Sequence, residues 1–116
     1  GKLLSKDSYD RFKSTDLRGK THTQPGCTTC MALNDSYTYG MGIVISGDWL
    51  LQNPLFAGEA GVMAYLPAKK ISMAIAVTYQ PEAFDEKGDY QNEADKLFSR
   101  IAKELAPDDA PPAPPK

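Results

Sequence analysis

From residue 37 to residue 79 the chain alternates large apolar side chains with small or polar ones and breaks at turn residues. A period of two interrupted in this way predicts consecutive antiparallel strands. They are expected at 37–46, 49–53, 60–66 and 70–79. Ser46-Gly47-Asp48 joins the first pair, its glycine supplying the positive φ of a tight hairpin. Pro67-Ala68-Lys69-Lys70 joins the second, with proline presetting the turn. On the last strand Ile71, Met73, Ile75, Val77 and Tyr79 face one way, and Ser72, Ala74, Ala76 and Thr78 the other. The first strand sets Tyr37, Tyr39, Met41, Ile43 and Ile45 against Thr38, Gly40, Gly42 and Val44. Small residues let a helix approach closely, so both faces of the sheet are expected to be covered.

The period changes beyond residue 90. QNEADKLFSRIAKEL puts Ala94, Leu97, Phe98, Ile101, Ala102 and Leu105 on one face at three-four spacing and predicts a helix over 91–105. Asn92 is its expected cap, Glu93 and Asp95 suit its first turn, and Pro107 ends it. Residues 107–116 are too rich in proline to bury a face and read as a disordered or polyproline II tail. Near the start, LLSKDSYDRFKST gathers Leu4, Tyr9 and Phe12 on one side behind Ser5 or Asp7, which predicts a short helix. Residues 16–36 show neither period and read as a long surface loop. The expected fold is α+β, an antiparallel sheet of about four strands with a short N-terminal and an amphipathic C-terminal helix. One terminal helix covers one face, so the other should meet an N-terminal part of the same protein outside this chain, or a second copy.

Composition narrows the class. The 116 residues and 41% hydrophobic content suit one domain. A formal charge of −2 from interspersed signs leaves no basic stripe for a phosphate backbone, which argues against nucleic acid as a partner. The apolar runs fall far short of the roughly 20 residues that span a bilayer, and the chain reads as soluble. It opens on Gly1 with no basic-then-apolar leader, which fits a processed product, a tag scar or an excised domain.

Cys27-Thr28-Thr29-Cys30 has the spacing of a local disulfide, a pair of free thiols, a metal half-site or a redox motif. Zinc would want four ligands, and after His22 there is no fourth Cys or His, so no metal or other cofactor is expected. A redox pair belongs at a helix N-terminus after a buried strand, whereas this one follows a loop.

The Tyr39-Gly40-Met41-Gly42 strand opening and the glycine-rich step from Gly58 into Met63-Ala64-Tyr65-Leu66-Pro67 resemble the last strands of the serine β-lactamase and penicillin-binding-protein superfamily, in its class C and esterase-like branch. The GKLLS helix, the hairpin partner and the terminal helix follow in that family's order; the 16–36 loop and the tail fall outside it. The resemblance implies the C-terminal part of a β-lactamase-like fold. It also implies a bacterial protein that is secreted or attached to the cell envelope.

That family's chemistry rests on a serine with lysine three residues later, a Tyr-x-Asn or Ser-x-Asn motif, and a Lys/His-Thr/Ser-Gly strand. No serine here has lysine at that spacing: Ser5 precedes Lys6 directly and Ser8 meets Arg11. Tyr90-Gln91-Asn92 matches the second motif but lies at the mouth of the last helix, where Asn92 reads as a cap. Counting back from Tyr65-Leu66-Pro67 puts Gln52-Asn53-Pro54 at the third, with Gly58 matching the glycine that follows; a gapped register uses Phe56-Ala57-Gly58. Neither register supplies a cation. Gln52, Asn53, Phe56 and Gly58 are therefore candidates for a substrate edge, where the amides would hydrogen-bond a neutral ester or amide, or else simply turn the chain. Trp49, Tyr39 and Phe56 are candidates for a cleft wall or for core, and Asp48 and Glu59 are the nearest carboxylates.

The resemblance thus implies a piece of a serine hydrolase that acts on a β-lactam, a peptidoglycan peptide or an ester through an acyl-enzyme formed outside these residues. This chain alone should be inactive. The alternative is a relative that kept the fold as a non-catalytic binding or structural envelope protein.

Overall fold

The computed structural model describes residues 3–27 and 30–113. Helix α1 (Lys6–Phe12) starts where the sequence supplies a cap, the Ser5 hydroxyl accepting from the Ser8 amide at 3.2 Å. Lys6 with Asp10 and Asp7 with Arg11 pair at one-turn spacing along it, but none of its residues is fully buried. Among the described residues six strands follow: β1 (Thr38–Tyr39), β2 (Val44–Ser46), β3 (Trp49–Gln52), β4 (Leu55–Phe56), β5 (Glu59–Leu66) and β6 (Ile71–Thr78). All pairings are antiparallel, in the order β1-β2-β3-β5, with β4 on the β3 side of β5 and β6 along its other edge. Helix α2 (Glu93–Leu105) closes the α+β fold.

Two readings of the strands are corrected. The stretch 37–46 is a tight hairpin and not one strand, for Thr38 pairs with Ile45 and Tyr39 with Val44. Gly42 at φ 74° turns the chain, and the Gly40 amide closes the turn on the Ile43 carbonyl at 2.8 Å. The strict face alternation expected there is consequently lost: Thr38, Val44, Ile45 and Ser46 are all buried, whereas Met41 is 67% exposed. The second correction is β4. Asn53-Pro54 kinks the chain out of β3, the Pro54 carbonyl accepts from the Gly61 amide at 3.0 Å, and two residues re-pair with β5 ahead of a turn at Gly58 (φ 85°).

The core lies between the sheet and α2. Val44, Trp49, Leu51, Ala60, Val62, Ala64 and Leu66 meet Ala94, Phe98, Ala102 and Ala106, with Trp49 and Phe98 edge to face at 5.2 Å between ring centres. The helix face predicted from three-four spacing is there, but shifted: Ala94, Phe98 and Ala102 are buried while Leu97, Ile101 and Leu105 flank them. Asn92 caps α2, its side chain accepting from the Asp95 amide at 3.2 Å, so the helix opens at Glu93 and not at 91.

The Pro-rich segment also departs from expectation. Residues 107–112 dock on the body instead of trailing as a tail, and 114–116 lie outside the described residues. Pro107–Asp109 forms a 3-10 turn that brings the Asp109 carbonyl to the buried Trp49 indole N–H (2.8 Å) and its carboxylate to Lys69 (2.8 Å). A donor buried at 0% exposure needs an acceptor, and this turn is where it finds one.

Loop 16–36 is tied down by Arg18, which donates to the Thr38 hydroxyl at 2.9 Å and pairs with Asp35 at 2.7 Å. The other face of β5 and β6 was expected to be covered, and among the described residues it is open. Met63 is 60% and Tyr65 38% exposed, and Ser72, Ala74, Ala76 and Thr78 are exposed beside them.

Candidate functional site

Successive residues of a strand point to opposite faces, and the end of β3 uses this to separate Gln52 from Asn53. Asn53 sits in a polar seam between the sheet and the start of α2. Its side-chain oxygen accepts from the Tyr37 hydroxyl (3.3 Å), its amide nitrogen donates to Asp95 (2.9 Å), and its main-chain oxygen accepts from the Asn92 amide (3.3 Å). The Tyr37 and Tyr39 hydroxyls are 3.1 Å apart, which extends the seam to the surface. Burial pushes the Asp95 carboxyl above its ordinary value, and the Asn53 donor partly offsets this. Burial, with the hydrogen bond to Tyr39, likewise holds the Tyr37 phenol far above its ordinary range. Both ends of the Asn53 side-chain amide are thus engaged within the fold, the oxygen as acceptor and the nitrogen as donor.

Gln52 sits on the open side. Its amide nitrogen donates to the Gly42 carbonyl at 2.6 Å, and the residue lines a groove of about 490 Å³. Tyr9 and Phe12 of α1 wall the groove with Ile43, and Met63 and Tyr65 of β5 form much of its floor. The end of helix α1 meets the β1–β2 turn in a close backbone approach. The Met41 amide donates to the Phe12 carbonyl at 3.0 Å, and Gly40 lies so near that carbonyl that a Cβ would stand 2.4 Å from it. A mainly apolar trough with one amide at its rim suits an extended acyl or peptide group, or a packed helix, better than a charged ligand.

The remaining candidates are spread out. Phe56 (64% exposed) and Gly58 belong to the β4–β5 hairpin, with Glu59 paired across from Phe56. Trp49 is core and takes no part in a cleft. Asp48 lies in the β2–β3 turn at the opposite end of β3 from Gln52, beside Pro67, so it is not near that edge. Cys27 and Cys30 are joined in a disulfide, and the exposed His22 belongs to no metal-binding group among the described residues. Asn92 caps α2, and Tyr90 meets Phe84 in a tilted contact and Tyr79 edge to face, with ring centres 4.6 and 4.7 Å apart.

Sequence reasoning did not gather Tyr9, Phe12, Met63 and Tyr65 into one groove. The signal was the alternation of β5, where Met63 and Tyr65 stand opposite Val62, Ala64 and Leu66, so that large apolar residues occupy both faces. The Tyr37–Asn53–Asp95 seam left no local signal, because its members lie 16 and 42 residues apart.

Comparison with family models, curated proteins and solved structures finds no match for the chain. No helix among the described residues is long and apolar enough to cross a membrane.

Proposed function

We propose that this chain is the C-terminal part of a β-lactamase-like serine hydrolase of the bacterial envelope or exterior. Its nucleophile lies in sequence outside these residues. The observation that carries the reading is the open apolar face of the sheet beside Gln52: a sheet with a helix on one side and exposed Met63, Tyr65 and Phe56 on the other is half of a layered core. The MAYLP strand, its hairpin partner and the terminal helix, in that order, support the family assignment, whereas YGMG forms a hairpin turn and not a strand.

In this reading the chain contributes a substrate edge and no chemistry of its own. Gln52, which is held by Gly42 but keeps hydrogen-bonding capacity beyond that bond, and the exposed ring of Phe56 are the side chains placed to meet an acyl group or a peptide, while Asn53 braces the edge from behind through Tyr37 and Asp95. Substrates are β-lactams, peptidoglycan peptides or esters, hydrolysed through an acyl-enzyme.

One observation favours a second reading, a non-catalytic envelope protein on the same fold. The positions where the resembled family carries a cation hold Gln52-Asn53-Pro54, and both ends of the Asn53 side chain are engaged in internal hydrogen bonds. A fluorophosphonate or penicillin probe on the full gene product decides between them. Acylation of one serine outside residues 1–116 supports the hydrolase. Absence of labelling with peptidoglycan binding intact supports the second reading, and absence of both refutes the two together.

A further inference from the structure

The free edge of β6 is unusual for an exposed strand. Among the described residues β6 pairs with β5 alone, through eight consecutive residue pairs without a bulge. Ile71–Thr78 contains no charge and no proline, the usual devices that keep a sheet edge from pairing. Above that edge hangs an apolar flank of α2. Asp95 marks the side of the helix that faces Asn53 and β3. Leu97, Ile101 and Leu105 lie on the opposite flank at 38, 39 and 56% exposure, beside Arg100 and Glu104.

The geometry points to self-association through β6, in which two copies pair antiparallel along Ile71–Thr78 about a two-fold axis normal to the sheet. That rotation keeps the helix-bearing faces on one side and makes the two α2 helices antiparallel neighbours. Helix α2 packs on both β5 and β6. Strands lie about 4.8 Å apart. A helix over the β5–β6 midline is therefore about one strand spacing from the axis, and the two helices come to about 9.6 Å, within the roughly 8–10 Å of close-packed pairs. Leu97, Ile101 and Leu105 of the two copies then cover each other, and the interface is isologous. The charges agree: exposed Lys70 at the start of β6 is brought toward the end followed by Glu82, and Arg100 and Glu104 are exchanged across the helix pair. A second copy satisfies edge, stripe and charge at once.

The test is sedimentation velocity on the 116-residue chain over a concentration series, with hydrogen exchange on the same samples. The expected result is a dimer in which the β6 amides are as protected as those of β5. Ile101→Glu places two like charges near the axis and should weaken the dimer about tenfold or more, that is by about 1.4 kcal/mol. Ala74→Lys, on an exposed position of β6, does the same at the strand seam and keeps the test valid if Ile101→Glu does not fold. A monomer at every concentration overturns the proposal, as does a dimer indifferent to both substitutions, or an open-ended polymer. A longer product of the same gene that is monomeric with β6 protected also overturns it, by assigning the edge to a strand of its own. None of these outcomes depends on serine labelling.

Discussion

The indole N–H of Trp49 donates to the main-chain oxygen of Asp109 at 2.8 Å, across 60 residues of sequence. Trp49 is fully buried, so its donor has no water to fall back on. Removing residues 107–116 should therefore cost about 1–3 kcal/mol, the desolvation of one unsatisfied buried group. Urea unfolding of the truncated chain measures it. In a Trp49→Phe background, with no donor to orphan, the same truncation should cost clearly less. Equal losses in both backgrounds would assign the effect to packing of the 3-10 turn alone.

Asn53 joins β3 to Tyr37 and to Asp95 of α2. Asn53→Ala removes both side-chain hydrogen bonds and leaves two half-buried groups short of a partner, at an expected loss of about 1–3 kcal/mol. Asn53→Asp should be worse, because it sets a second carboxylate against Asp95. Thermal melts of the two variants check the order, and an Asn53→Asp variant as stable as wild type would contradict the seam.

Asp95 makes the stability pH-dependent in a definite direction. Its carboxyl is raised above the ordinary 3.8 chiefly by burial, so the folded state prefers it protonated. The resulting penalty is absent below about pH 3.8, grows as pH rises through the raised folded value, and is complete above it. Asp95→Asn abolishes the titration and keeps an oxygen for Asn53. The variant should gain on wild type as pH rises from 3.8 and hold a constant advantage at neutral pH. Denaturant midpoints at a series of pH values read this, and an advantage that shrinks with rising pH would reverse the sign.

The elements written in local spacing were legible, and those made by distant meetings were not. Asn92 before a three-four apolar pattern announced α2 and its cap, and the alternation of 71–78 announced β6. The period-two pattern of 37–46 misled, because a hairpin turning on Gly40-Met41-Gly42 preserves alternation in sequence while folding the strand back on itself. β4 went unseen since two residues carry no period and Pro54 argues against a strand. At the candidate site Gln52, Phe56 and Gly58 could be named individually. The separation of Gln52 from Asn53 by face follows from the register of β3, and the arrival of Tyr9 and Phe12 opposite Met63 depends on where α1 docks. That docking includes the backbone hydrogen bond from Met41 to Phe12, which no side-chain pattern announces.

Phe98 tests the core directly. It is 3% exposed and meets Trp49 edge to face, so Phe98→Ala should cost about 3–5 kcal/mol. Against the roughly 5–15 kcal/mol of a whole domain this is a large fraction, and the far-ultraviolet signal should show partial unfolding at 37 °C. A loss under about 1 kcal/mol would mean that α2 is not seated as described.

Gly40 and Gly42 separate two reasons for glycine within one turn. A Cβ on Gly40 would stand 2.4 Å from the Phe12 carbonyl, a backbone atom that moves only if α1 moves. A Cβ on Gly42 meets nothing within 4 Å, and there only the φ of 74° resists substitution. Gly42→Ala should therefore cost about 1 kcal/mol with the groove intact. Gly40→Ala should cost about 1–3 kcal/mol and break the Met41–Phe12 hydrogen bond, releasing Tyr9 and Phe12 from the groove wall. Hydrogen exchange localises the difference: protection of residues 9–13 and of the Met41 amide should fall in Gly40→Ala and persist in Gly42→Ala. If both variants lose it equally, the turn's conformation holds α1 in place and the close approach at Gly40 does not.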